Sequence, residues 1–332
     1  MESPIFIVGA SRSGTSLMRN ILNRHPRIGI CGETHFHHYV YKRRKHFGDL
    51  ADLKNRRRVI EEYLGLRRLR FITDRAGLSE ALMREGSSYQ DLFTSFVKFH
   101  ALSGAKQRWG EKTPQHAFFA ETLCDWFPSG TIIHMIRDPR DVVASLQRMP
   151  WGHDSVVPNA RRWLNHNLAA HRCHGKRAYF PVQYEELVTQ PEREVARICA
   201  RLGEEYFPGL LDPTGHQVHP PPALWTQGAT KPITTERLGT WRQELTPKQV
   251  AQIEWVIGPH METFGYGRES DPPSSWTIAQ GIGGAAFDTF RMRVTQIPGI
   301  WYHLARPTKL SKEEFWMSRR VAKRGQMPAG LQ

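Results

Sequence analysis

Residues Pro4–Leu22 read PIFIVGASRSGTSLMRNIL: an apolar run, a Gly/Ser/Arg loop and a helix-spaced segment in direct succession. Ile5, Phe6, Ile7 and Val8 form an unbroken apolar run, the pattern of a parallel strand covered on both faces. Gly9 and Gly14 bracket a turn in which the absence of Cβ lets backbone N–H groups converge on an anion. Leu17, Met18, Ile21 and Leu22 recur at helical spacing, and Pro26 stops the helix. A strand that feeds such a loop into a helix N-terminus makes a phosphate site from backbone donors and the helix dipole. The competing reading is a plain strand–turn–helix without a ligand.

The loop has the glycine spacing of the nucleotide-binding motif G-x-x-x-x-G-K-[ST], but Thr15 stands where that motif has lysine, and Arg12 lies inside the loop. The cation that reaches β- and γ-phosphates is therefore missing. Arg12, Ser13, Gly14, Thr15 and Ser16 instead suit one phosphate, held by backbone, hydroxyls and a single guanidinium.

Working outward, Arg27–Cys31, Gln107–Lys112, Thr131–Ile136 and Tyr179–Tyr184 read as further strands, with Pro181 marking an edge or bulge. Helical patterns separate them. Phe36–Leu102 is helical with a buried face through Leu50, Leu53, Val59, Ile60, Tyr63 and Leu64. Thr113-Pro114 opens a helix carrying Phe118, Phe119 and Leu123, and Asp138-Pro139 caps another. Glu192–Leu202 and Pro247–Ile257 follow. Strands alternating with helices predict an α/β, P-loop-like three-layer fold, its central and mostly parallel sheet flanked by helices. Ligands of such sheets bind at the carboxyl ends of the strands, which puts Gly9–Ser16, Glu33, Lys112 and Arg137 on one rim.

The 332 residues are 39% hydrophobic and 23% charged, a soluble globular composition without a 20-residue apolar span. Neither a signal peptide nor a membrane anchor is expected. Cys31, Cys124, Cys173 and Cys199 are scattered, as for buried reduced thiols in a cytoplasmic protein. The formal net charge of +14 is uneven: Lys42–Arg70 holds eleven Lys/Arg against four Asp/Glu, and Arg268–Gln332 ten against five. Such a balance favours anionic ligands, nucleic acid or a membrane surface, although much of the first block suits a solvated helix face. Asp271–Ser275 reads as a linker, Gly281–Ala286 is Gly/Ala-rich, and the tail mixes aromatic with basic residues.

Three segments together resemble the sulfotransferases that use 3′-phosphoadenosine 5′-phosphosulfate (PAPS). Ser11–Ser16 is similar to the family's 5′-phosphosulfate loop, P-R-S-G-T-T. Arg137–Ser145 resembles its 3′-phosphate motif, R-D-P-R-D-x-x-x-S. Lys231–Trp241, followed by Phe264-Gly265-Tyr266, resembles the closing cofactor loop and last helix. Within the family, Gly32-Glu33-Thr34 and Glu111-Lys112-Thr113-Pro114 look most like the tyrosylprotein sulfotransferase branch and its bacterial relatives. His35 stands where that branch has an arginine that contacts the peptide acceptor.

The resemblance implies a sulfotransferase domain over residues 1–268, a helical insertion at 36–106 over the active site, and a basic extension at 269–332. It implies PAPS as donor, PAP as product and no metal. Glu33 is then the base, with His35, His37 and His38 as competitors, and Arg12 and Lys112 are the active-site cations. The hydroxyls of Ser13, Thr15 and Ser16 face the 5′-phosphate, while Arg137, Ser145 and Arg140 face the 3′-phosphate. A surface helix position is the alternative for Arg140. Tyr184 and Thr226 are expected at the adenine and phosphates on resemblance alone. The acceptor is a hydroxyl-bearing small molecule, glycan, lipid or peptide, and the basic tail offers contact with an anionic membrane or partner. No specific nucleic-acid contact is implied. The rival readings are a P-loop kinase or NTPase, and a non-catalytic binder of nucleic acid or lipid.

Overall fold

The computed structural model describes residues 3–66, 69, 72–102, 106–149, 151–214 and 229–295. Thr226 and the tail beyond residue 295 lie outside them. The opening apolar run forms β1 (Ile5–Gly9), every residue of which is buried. With β2 (Ile28–Cys31), β3 (Arg108–Lys112), β4 (Thr131–Ile136) and β5 (Tyr179–Gln183) it makes one sheet in the order β2-β3-β1-β4-β5. All four pairings are parallel, and Ile7 sits between Lys112 of β3 and Ile133 of β4. Pro181, which has no N–H to give, lies on the edge strand β5.

The helices follow in order: α1 (Thr15–Asn23), α2 (Phe36–Tyr39), α3 (Arg44–Phe47), α4 (Leu53–Leu64), α5 (Arg75–Glu85), α6 (Tyr89–Ala101), α7 (Ala120–Trp126) and α8 (Pro139–Gln147). Then come α9 (Val156–His171), α10 (Tyr184–Thr189), α11 (Pro191–Leu202), α12 (Trp241–Glu244), α13 (Pro247–Ile257), α14 (His260–Thr263) and α15 (Ser275–Thr295).

Alternation along β1 splits the core in two. Ile5 and Ile7 pack with Met18, Ile21 and Leu22 of α1 and with Val195 and Ile198 of α11. Phe6 and Val8 point the other way, into Phe93 and Phe96 of α6, Trp109 of β3 and Leu123 of α7. Each such fully buried side chain contributes about 1.5–3 kcal/mol relative to exposure. Helices thus cover both faces, as the three-layer reading requires.

On α4, Val59, Ile60, Tyr63 and Leu64 are buried while Arg57 and Arg58 are exposed, so that part of the basic block is a solvated face. Leu53 departs from the expected stripe: it is 60% exposed, since the core cluster takes in Leu50 and Val59 but ends short of it. The segment after Thr113 also differs. It begins as a 3-10 turn over Pro114–Phe119, and α7 starts only at Ala120. Phe119 and Leu123 are buried there, whereas Phe118 is 48% exposed.

Two compact units are separated by contacts: Met1–Arg137 with Asn165–Leu238, and Asp138–Leu164 with Gly239–Gln332. Within the second, the Gly/Ala-rich stretch is helical inside α15. Gln252 Nε2 donates to Thr277 O (2.8 Å), and Asp288 accepts from His153 Nδ1 and Ser155 N, both at 3.2 Å. A Cβ on Gly281 would meet Gln252 at 2.9 Å, so here glycine serves a close approach that outweighs its low helix propensity. No helix among the described residues is long and apolar enough to cross a membrane.

Candidate active site

The loop leaves β1 at Gly9, whose φ of +140° and whose closeness to Met135 O (2.3 Å for an added Cβ) both require glycine. Gly14 is the N-cap of α1 at φ +86°, against the Tyr184 ring. Arg12 adopts φ +77°, a left-handed backbone uncommon outside glycine and concentrated at functional sites. Its carbonyl accepts from Arg137 Nη1 (3.2 Å), and Arg137 Nη2 also donates to Arg237 O. The Arg137 guanidinium lies 4.4 Å over the Tyr184 ring. Ser13 is fully buried, and its hydroxyl has no hydrogen-bond partner among the described residues. Ala229 is held to α1 by Asn20 Nδ2, which donates to its carbonyl at 2.8 Å.

Lys112 ends β3 and is buried. Its Nζ donates to Glu33 Oε1 at 2.6 Å and to Ser16 Oγ at 3.3 Å. His35 Nε2 sits 3.1 Å from Glu33 Oε2, and His35 Nδ1 lies 3.3 Å from Gln115 Oε1. The structure therefore brings Ser16, Glu33, His35 and Lys112 together, with Arg12 and Arg137 at the same loop. Partial desolvation opposes ionisation of Glu33, whose side chain keeps 40% of its exposure, but Lys112 and then His35 outweigh it and hold the carboxyl well below the usual carboxylate range. His37 is pushed down to about 4 by burial, then by His116 and Lys42, and its ring stacks on Phe119 at 4.9 Å.

In the second unit, Ser145 is buried on α8. Arg140 follows neither expectation. It is buried rather than on the surface, and its fork is filled by carboxylates rather than open to phosphate: Asp138 Oδ2 at 2.8 Å, Glu254 Oε1 at 2.9 Å and Glu269 Oε1 at 3.6 Å. Its guanidinium also lies 4.4 Å over Trp241. Asp141 accepts from Gly239 N (2.9 Å), Thr240 Oγ1 (3.2 Å) and Trp241 N (3.1 Å), fixing the turn into α12. Beside Lys112, Glu111 is fully buried and bonded to Thr34, Thr113 and His116, residues to which sequence reasoning gave no role. The tetrapeptide Glu111–Pro114 was the available signal. No group of three His, Cys, Asp or Glu side chains suited to a metal occurs among the described residues.

Residues 4–208 match the sequence profile described as the sulfotransferase family. The chain belongs to that family. It is a sulfotransferase, and the kinase and binding-protein readings fall with that assignment. Among curated members, a putative protein-tyrosine sulfotransferase of Caenorhabditis briggsae is 24% identical over 82% of this chain and 92% of its own length. The Drosophila melanogaster protein-tyrosine sulfotransferase is 26% identical over 81% of this chain but only 52% of that protein. Of solved structures, the sulfotransferase domain of the Synechococcus PCC 7002 olefin synthase shares the fold. Its TM-score is 0.55 at 21% identity, over 80% of this chain and 97% of the domain.

Proposed function

We propose that this sulfotransferase moves the sulfuryl group of PAPS to an acceptor hydroxyl by in-line displacement, with Glu33 as base. The observation that carries the reading is Lys112, one ammonium bridging the Glu33 carboxylate and the Ser16 hydroxyl of the loop. The loop fits the donor's 5′ side: the N-terminus of α1 at Gly14 and the unpartnered Ser13 hydroxyl await an anion. When bound, PAPS supplies the sulfuryl group and a phosphate leaving group.

Glu33 takes the acceptor's proton as the new oxygen–sulfur bond forms and the bond from sulfur to the phosphate oxygen breaks. Paired with Lys112, that carboxylate is a weak base. It gains basicity as Lys112 turns toward the leaving oxygen, where Lys112 and Arg12 offset the developing charge. Arg137 is assigned to the 3′-phosphate, and Thr15 to the 5′ side with Ser16. Arg140 is assigned to the frame of its own unit. Stacking of its ring on Phe119, with its backbone N–H tied to His116, argues against His37 as the base. The acceptor is a hydroxyl-bearing molecule. Relatives named for protein tyrosine support a phenolic hydroxyl, while His35 in place of the expected arginine argues against a peptide.

The test is PAPS-dependent sulfation of hydroxyl acceptors, read by mass spectrometry. Glu33→Gln should lower turnover roughly 10²–10⁴-fold, the range for a lost general base, and leave PAP binding intact. Wild-type turnover by Glu33→Gln, with loss in His35→Ala, transfers the role to His35.

A further inference from the structure

We infer that Glu111 is the positioning residue for Glu33: through Thr34, Thr113 and His116 its buried carboxylate fixes the backbone that presents Glu33 to Lys112. The inference rests on the reading of Glu33 as the base. Glu111 and Lys112 are consecutive on β3, so they face opposite sides of the sheet. Lys112 meets the side chain of Glu33, and Glu111 holds the N–H of Thr34, the next residue, from the other face of the strand.

A fully buried carboxylate persists only where donors surround it. Glu111 has four: Thr34 N at 3.2 Å, Thr34 Oγ1 at 3.0 Å, Thr113 Oγ1, and His116 Nδ1 at 3.0 Å. Two of these partners carry the hold further. Thr113 Oγ1 accepts from Thr34 N (3.0 Å) and His35 N (3.4 Å), and His116 Nε2 accepts from His37 N (3.3 Å). Tyr63 donates to Thr34 O at 2.9 Å, and Phe36 N donates to Thr34 Oγ1 at 3.2 Å. Every backbone N–H from Thr34 to His37 therefore goes to a side chain rather than to a sheet ladder. Within this stretch His35 adopts φ +51°, a left-handed conformation that a non-glycine residue keeps only when its surroundings impose it. Glu33 itself is 40% exposed at its side chain, so packing alone does not set its direction.

The His116 contacts assign its tautomer. Nε2 accepts from His37, so Nδ1 carries the proton given to Glu111. Glu111→Gln breaks this relay. With Oε1 still accepting from Thr34 and Thr113, the amide NH₂ would face the Nδ1 proton. Moving that proton to Nε2 would set it against the His37 N–H. One contact is lost either way, although the substitution is isosteric. Thr113→Val removes the second hold, and with it one of the four donors to the carboxylate, while the charge and its other three donors stay in place.

Titrating the Glu33 carboxyl by ¹³C NMR in the full chain tests the positioning. The wild type should titrate far below the ordinary range, and Glu111→Gln and Thr113→Val should both titrate higher as the Lys112 contact loosens. An unchanged Glu33 titration in both overturns the inference. Should Glu111→Gln fail to fold, Thr113→Val decides alone. Kinetics add the second readout. Each variant should lower kcat at least about tenfold with PAP affinity within about twofold. In a Glu33→Gln background each should cost less than about twofold more, because all act through one carboxylate. Losses that multiply in that background overturn the inference and make Glu111 merely structural. Wild-type turnover by Glu33→Gln overturns the base assignment instead, and the titration then judges the positioning by itself.

Discussion

Lys112 Nζ stands 2.6 Å from Glu33 Oε1, at the end of a strand directly beside the one that delivers the anion loop. A buried ammonium with a carboxylate on one side and the loop hydroxyl of Ser16 on the other neutralises the first and stands beside the second, where the proposed reaction develops charge. Lys112→Ala should therefore lower kcat by about 10²–10³, the usual loss on removing one group that stabilises developing charge. It also removes the largest influence that depresses the Glu33 carboxyl. A base acts when deprotonated, so raising its pKa moves the acid limb of the kcat–pH profile to higher pH. A limb that stays put in Lys112→Ala would dissociate Glu33 from the profile.

Arg140 is held by Asp138 and Glu254 inside the second unit, with Glu254 almost fully buried. Arg140→Met leaves that carboxylate without its cation, a change that costs about 3–5 kcal/mol for a buried pair. Glu254 keeps the donors Glu269 N, Ser270 N and Ser270 Oγ, which favours the lower end. Arg140→Lys keeps the charge but not the fork and should fall between. Urea denaturation measures both. A loss below about 1 kcal/mol in Arg140→Met would show the pair to be dispensable.

The pH dependence of stability follows from three histidines. Burial pushes His134 down to about 3 and His37 and His100 down to about 4. His134 is fully buried between Tyr179 OH (2.7 Å) and Asn167 Oδ1 (2.9 Å), an arrangement that suits the neutral ring. Below the unfolded pKa of about 6.5 the unfolded chain binds these protons and the folded chain does not. Stability should thus fall as pH drops from about 6.5 toward 4, with His134 alone contributing roughly 1 kcal/mol per pH unit. The depressed carboxyls of Glu33 and Glu111 extend the loss below about 4.5. Thermal denaturation across pH 4–8 reads the slope, and His134→Asn should flatten it. A flat profile in the wild type would contradict these shifts.

Much of the fold was legible because its signals are local. A short unbroken apolar run ahead of a glycine-bracketed turn suits a strand covered on both faces, as β1 is, and Pro181 belongs at an edge because it lacks a donor. Asp138 caps α8 through the N–H of Arg140 at 2.8 Å, as the Asp-Pro pair announces. The rim of Gly9–Ser16, Glu33, Lys112 and Arg137 followed from strand order. The exposure of Leu53, the 3-10 turn after Thr113 and the helix through Gly281 were not legible, since each depends on what packs against the segment.

By itself, then, the sequence determined the parallel sheet, a glycine-bracketed loop with hydroxyls where a lysine would serve a triphosphate, and, through its motifs, the sulfotransferase class. The sheet and the loop reside in side-chain periodicity and in backbone freedom at single glycines, which act over a few residues, whereas the class was legible through the resemblance of three motifs to a known family. Only the tertiary structure decided which charges meet. Glu111 reaches Thr34 across 77 positions, Arg140 reaches Glu254 across 114, and Lys112 finds both Glu33 and Ser16. A charge discloses its partner only once folding has removed water from between them, because burial then makes an unpaired ion too costly to keep.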